Sequence, residues 1–362
     1  MIFSKYRIHL CWLVPLLIFD AVFFTWLWKR LSSPLPSAGP VSVAAKPVKV
    51  NFSYPTDREL DRGNTNAFQP TASGRPESGF YGSVRTVWVG KRLVPSFHEG
   101  VDIAPVERGR TGNPRDIVFA AANGEVAYVN RQAGNSNYGK YVVLFHGGEQ
   151  GRIYTLYAHL AEIGSEIRKG VHVEQGNILG MMGSTSTDHI PPSNGHLHFE
   201  VCLMLNSRFQ QWFKRQKLVP DHGLFNGWNL IGIDPLAVYE KQEEDDGDEY
   251  DIYAHLAAIP RAYELVLKAP HQLDFFRRYP SLWHGAEFKG GAMVIACSEN
   301  GLPLNGRCAG KDETIELGRK SNFIRSVDRS ALGRNGCRLV VCGNGKWRLG
   351  AEGEKWRSIL IY

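Results

Sequence analysis

GHLHFEVCLML, residues 195 to 205, decides how the middle of this chain is read. His196 and His198 stand two apart in a run that ends in β-like FEVCLML, so on a strand both side chains project to the same side. Two imidazoles on one face call for water or a metal ion. A second stretch, HEGVDIA at 98 to 104, spaces His98 and Asp102 four apart. Gly100, Val101 and Ile103 are poor helix material and favour extended chain, where even spacing again puts both side chains on one face. Two histidines and one aspartate match what a catalytic zinc site uses, three protein ligands with a fourth position left for water. A single carboxylate leaves the ion cationic enough to draw the pKa of that water towards ~7. In a chain with 12 histidines, either motif alone is weak. The pairing carries weight because each half sits on a β segment beside glycine, separated by a compact β region that can fold them together.

That region keeps an all-β rhythm: SVRTVWV, DIVFAA, GEVAYVN, KYVVLFH, RIYTLYAHL and NILGMMG are short β-like runs cut by glycine, with turn signals about every ten residues. Within it YAHLAEI (157 to 163) is repeated almost letter for letter as YAHLAAI (253 to 259), in a segment that reads as helical.

HEGVDIA, GEVAYV, YTLYAHL, GSTS and GHLHFEV, in that order and approximate spacing, resemble the lysostaphin and LytM type of zinc metallopeptidases, which cut peptide cross-links of bacterial peptidoglycan. The resemblance covers residues 79 to 239. It implies a mainly β, antiparallel catalytic domain over 76 to 241, one Zn2+ bound by His98, Asp102 and His198, and His159 with His196 as the catalytic pair. Chemistry is therefore expected of His159, in the first YAHL copy, and packing of His255 in the second. The chain departs from the family pattern in GSTSTDHIPPSNGHLHFE, which inserts His189, Pro191 and Pro192 before the H-x-H strand, and in the stretch 205 to 228. Both are expected to border the cleft.

Outside this domain, Leu10 to Trp28 form 19 nearly apolar positions that would span about 28 Å as a helix, close to the hydrocarbon thickness of a bilayer. Asp20 opposes insertion by about 2.5–3.5 kcal/mol and is outweighed by its apolar neighbours. Residues 1–31 are thus expected as a transmembrane anchor, a cleavable signal peptide being the alternative. Lys5 and Arg7 are matched by Lys29 and Arg30, which leaves orientation to the chemistry: a wall-directed site puts residues after Ser32 on the extracytoplasmic, periplasmic side. Residues 32–75 read as a flexible tether and 242–250, with EEDDGDE, as an acidic linker.

Residues 251–362 read as a small α+β module in which DIYAHLAAIPRAYELVLKA is expected to be helical and WRSILIY a strand. From Arg261 onward, 17 Lys and Arg face 10 Asp and Glu, against a whole-chain net charge of +6. Such a field suits an anionic partner, here the wall polymer and not nucleic acid. Cys297 with Cys308, and Cys337 with Cys342, read as two short disulfide loops in an exported protein, while Cys202 reads as a packing residue. The function expected is that of a membrane-anchored zinc endopeptidase acting on peptidoglycan peptides. The alternatives are a noncatalytic wall-binding or amidase-activating regulator and an exported lysin toxin.

Overall fold

The computed structural model describes residues 50–89, 92–147, 152–218, 222–244 and 251–362. The apolar span 10–28 and the acidic run 245–250 lie outside them. No helix among the described residues is long and apolar enough to cross a membrane.

The runs read as strands form strands. Leu197–Met204, buried at every position, is the centre of a seven-stranded antiparallel sheet. One edge of it pairs with Ile153–Ala158, followed outward by Tyr141–His146, Gly124–Asn130 and His172–Val173. Its other edge is shared in succession by Val101–Ile103, opposite Leu197–Phe199, and by Leu230–Ile233, opposite Val201–Met204. A strand with apolar groups on both faces needs cover on both, and a three-stranded sheet of Ile117–Phe119, Ile178–Met181 and Glu162–Ile163 supplies part of it. The hairpin Val84–Val89/Arg92–Phe97 leads into the HEGVDIA stretch.

Residues 50–75, read from composition as tether, are packed. Val50, Phe52, Leu60, Ala67 and Phe68 are buried in the main core, and each Phe contributes about 1.5–3 kcal/mol by leaving water. Polar composition hid this because the backbone does the pairing: Ser53 N donates to Ala121 O, Ala104 N to Ala67 O, and Phe52 exchanges bonds with the Gln242 amide at 2.6 and 2.8 Å. Gln242 belongs to the helix Pro235–Glu244, so helix extends into the start of the expected linker.

The C-terminal module is an α+β unit on a five-stranded sheet ordered Trp283–His284, Pro303–Cys308, Gly291–Cys297, Tyr263–Ala269, Asn322–Val327, with a separate hairpin Val340–Gly343/Lys346–Leu349. Two segments differ from expectation. YELVLKA is a strand rather than helix: Pro260 ends the helix Ile252–Ala258, and β-favouring Tyr263, Leu265 and Val266 then pair on both sides. WRSILIY is helical instead, in Ala351–Leu360, because Trp356, Ile359 and Leu360 share the i, i+3, i+4 face. The cysteines expected to pair are free. In the hairpin register Cys297 faces Pro303 while Cys308 faces Met293, which puts the two thiols at opposite ends of the ladder. Cys202 is buried in the central strand.

Candidate active site

Three distant stretches of chain meet at one rung of the large sheet. His198 stands opposite Asp102 on one side and opposite Ala158, the residue before His159, on the other. Strand alternation puts His196, His198 and Glu200 on the same face. His98 does not share a strand with Asp102, as even spacing had suggested. It follows the hairpin, and the chain bends through Glu99 and Gly100 before Val101–Ile103 begins. Gly100 is pressed so closely on the central strand that a Cβ there would lie 2.3 Å from the Phe199 carbonyl oxygen. His159 leaves its strand in the left-handed conformation, φ 62°, an uncommon one for a residue with a side chain. Its N–H is held by Tyr138 O at 2.9 Å, and its ring lies 4.8 Å from that of His196 and 6.0 Å from that of His198, centre to centre.

At the centre, His98 Nε2, Asp102 Oδ1 and His198 Nδ1 form a triangle with sides of 3.0, 3.1 and 2.9 Å. The outer nitrogens of both rings are engaged by neighbouring groups. His198 Nε2 lies 2.8 Å from Glu200 Oε1, an acceptor that places a proton on that outer nitrogen, while His98 Nδ1 lies between Phe80 O at 2.9 Å and Arg85 Nη2 at 3.0 Å; a metal at Nε2 is compatible with the Phe80 bond. Three atoms of ligand type, two imidazole nitrogens and a carboxylate oxygen, thus converge on one point, an arrangement that suits a cation. For zinc bonds of about 2.0–2.1 Å, the ligand-to-ligand edge of a tetrahedron is about 3.3 Å, close to the observed triangle. The donor set and the outward hydrogen bonds thus fit a zinc ion held by His98, Asp102 and His198.

The surrounding charges support the same ion. Asp102 is buried, which opposes its charge, yet His98, His196 and Arg85 hold its carboxyl well below the usual carboxylate range. Thr71 Oγ1 at 2.6 Å and Arg85 Nη2 both donate to Asp102 Oδ2, turning Oδ1 towards the two histidines. Burial lowers the His98 pKa against the pull of Asp102. Burial also opposes charge on His198, but the Asp102 and Glu200 hydrogen bonds outweigh it and raise that imidazole to about 9 in the absence of a metal. His159 is pushed well below its ordinary range by burial, His196 and His198. His159 Nδ1 donates to Thr185 O at 2.9 Å and His196 Nδ1 to Asn194 O at 2.7 Å, which leaves Nε2 as the second nitrogen of each ring, that of His196 3.5 Å from Asp102 Oδ1.

The site opens into a cleft of ≈830 Å³. Its rim includes Thr71 and Arg85, Ser136 to Tyr138, the inserted loop with Asp188 to Pro191, and Phe213, Asn226 and Trp228 from the second inserted stretch. His189 is exposed on that rim, away from the metal triangle. His255 is buried in the helix Ile252–Ala258 and does not line the cleft. Sequence reasoning reached all five converging side chains but missed Glu200, Arg85, Thr71 and Tyr138, whose hydroxyl donates to Glu200 Oε1 at 2.8 Å. Glu200 had a legible signal, since H-x-H-x-E continues the alternation that groups the histidines.

Residues 96–209 match the sequence profile of peptidase family M23. The chain carries an M23 peptidase domain. This is the family expected from HEGVDIA, YAHL and GHLHFEV. The chain is also 33% identical over 106 residues to a protein named Lipoprotein NlpD/LppB homolog from Pseudomonas aeruginosa, a match covering 29% of each chain. Among solved structures, a zinc containing peptidase from Vibrio cholerae is 27% identical with a TM-score of 0.27, covering 42% of this chain and 36% of that one. The catalytic domain of lysostaphin, an antimicrobial peptidase from Staphylococcus simulans, is 24% identical with a TM-score of 0.25, covering 34% of this chain and 75% of that one. TM-scores this low add nothing to the assignment. The chain spans under a third of the length of the lipoprotein it matches and about a third of the Vibrio peptidase.

Proposed function

We propose that the protein is a zinc-dependent endopeptidase that hydrolyses peptide bonds of peptidoglycan, tethered by residues 10–28 with its cleft on the periplasmic side of the membrane. One observation carries the reading: His98 Nε2, Asp102 Oδ1 and His198 Nδ1 converge, with His159 and His196 on the same cleft. Zinc held there would supply Lewis acidity towards a water and the scissile carbonyl. The chain's own residues do the rest. His159 and His196 have their Nδ1 protons anchored on carbonyls, so one Nε2 takes the proton of the attacking water and, once protonated, hands it to the leaving amine. The other borders the same reacting centre. Phe213 and Trp228 offer an apolar wall to the substrate peptide, and Arg85 adds positive charge beside Asp102.

A complete set of five side chains speaks against a binding-only role, and one experiment separates the two. Purified sacculi are digested with the full chain in detergent, with and without a chelator, and the soluble products are analysed for new amino termini. Release of cross-link or stem peptides that stops on chelation and returns with zinc supports the peptidase. Stoichiometric zinc with no cleavage of any cross-linked substrate favours a regulator.

A further inference from the structure

Glu99, in the bend between the ligands His98 and Asp102, is tied not to the peptidase domain alone but to the C-terminal module. Glu99 Oε2 accepts from Gly232 N at 3.1 Å and from Asn300 Nδ2 at 3.0 Å, and the same Asn300 amide donates to Gly232 O at 2.9 Å. Asn300 is 4% exposed, and Ser298 Oγ donates to its Oδ1 at 2.6 Å, which fixes the direction of the amide. Gly232 lies against the Glu99 backbone so closely that a Cβ would sit 2.1 Å from Glu99 O. The bend carrying His98 and Asp102 at its two ends is therefore clamped by one side chain from a different module.

A second, separate set of contacts holds the far wall of the cleft. Lys355 Nζ lies 4.2 Å over the Trp228 ring, Trp212 Nε1 donates to Ser358 Oγ at 3.0 Å, and Asn206 Nδ2 donates to Ile359 O at 2.7 Å. All three partners lie on the helix Ala351–Leu360.

We infer that Asn300 is a positioning residue for the metal centre and that residues 251–362 brace the peptidase cleft from both sides. Its catalytic consequence rests on the proposed zinc peptidase, but its metal-binding consequence does not. Loss of a partner hydrogen-bonded to a ligand typically weakens metal affinity by about 10–100-fold, and Asn300, which acts one step further out through Glu99, belongs at the low end of that range.

The test uses the full chain and measures zinc affinity by competition with a chromophoric chelator, together with the visible absorption of the cobalt(II)-loaded protein, which reports ligand geometry. Asn300→Ala is expected to weaken zinc by about 10-fold and shift the cobalt bands. Asn300→Asp, which sets a second carboxylate against Glu99, is expected to weaken it further. Glu99→Gln alone, whose amide oxygen can still accept from Gly232 N and Asn300 Nδ2, is expected to keep affinity and spectrum near wild type. Ile315→Ser, an exposed change on the same module, leaves both unchanged. Wild-type affinity and spectrum in Asn300→Ala overturn the inference. Where Asn300→Ala fails to fold, Asn300→Asp decides: weakened zinc and shifted bands uphold the brace, and wild-type values overturn it. Should the wild type bind zinc yet cut nothing, the proposed activity falls while these affinities still answer the question of the brace.

Discussion

At the scale of single residues, the sharpest contrast is between the two YAHL histidines. Identical letters end a strand over the cleft in one case and lie inside a buried helix in the other. His159→Ala is expected to lower hydrolysis by about 10²–10⁴-fold while leaving zinc content intact, since the ring is no part of the metal triangle, whereas His255→Ala stays near wild type in turnover. Turnover of a cross-linked muropeptide, with metal analysis alongside, checks both. Glu200→Gln replaces the acceptor on His198 Nε2 by an amide, and a loss of about 10–100-fold in zinc affinity is expected. Retention of wild-type affinity would show that His198 needs no outer anchor. The converging residues were legible because strand alternation is a local rule. Arg85 and Thr71 were not: they reach Asp102 from 17 and 31 residues upstream, and nothing in their immediate sequence marks them.

At the scale of elements, strands were legible wherever β-branched and aromatic residues alternated or ran unbroken, and less so where a neighbour decided the outcome. YELVLKA carries letters that suit helix or strand, and pairing on both edges settles it. A strand also sets the protonation of His146, buried at the end of Tyr141–His146. Its Nδ1 donates to Asn123 O at 2.8 Å and its Nε2 lies 2.7 Å from Thr155 Oγ1, in a site that lowers its pKa to about 4 through burial, with the Asn123 bond opposing. The sign follows from which state binds the proton. The unfolded imidazole titrates near 6.5 and the folded one near 4, so stability is full above about 6.5 and falls as pH drops towards 4. The loss from this group is about 3 kcal/mol. Chemical denaturation from pH 7 to 4 on wild type and His146→Gln checks it: the stability gap between them should narrow as pH falls. A pH-independent gap would mean that the native ring titrates normally.

At the scale of the molecule, one apolar core runs from Val50 to Leu360. Compositional boundaries did not foresee this, because a Pro, Ser and Thr-rich stretch can still pair its backbone, and an acidic run does not stop the modules on either side from packing. A fragment of residues 76–241 would strip Trp212, Asn206 and Trp228 of their partners Ser358, Ile359 and Lys355 on the C-terminal helix, and would lose Phe52 and Phe68 from the core. That fragment is expected to aggregate or melt without a cooperative transition, while residues 45–362 melt as one unit; scanning calorimetry of the two pieces distinguishes these outcomes. The basic excess of the C-terminal module lies on a unit that is structurally part of the peptidase.

Everything functional here depends on three lone pairs being gathered around one ion. Diffraction data from crystals of residues 45–362, collected on both sides of the zinc absorption edge, test this most directly. A single anomalous peak within bonding distance of His98 Nε2, Asp102 Oδ1 and His198 Nδ1 is the predicted result. A zinc-supplemented crystal with no peak there, or with the ion held by other side chains, would contradict the account.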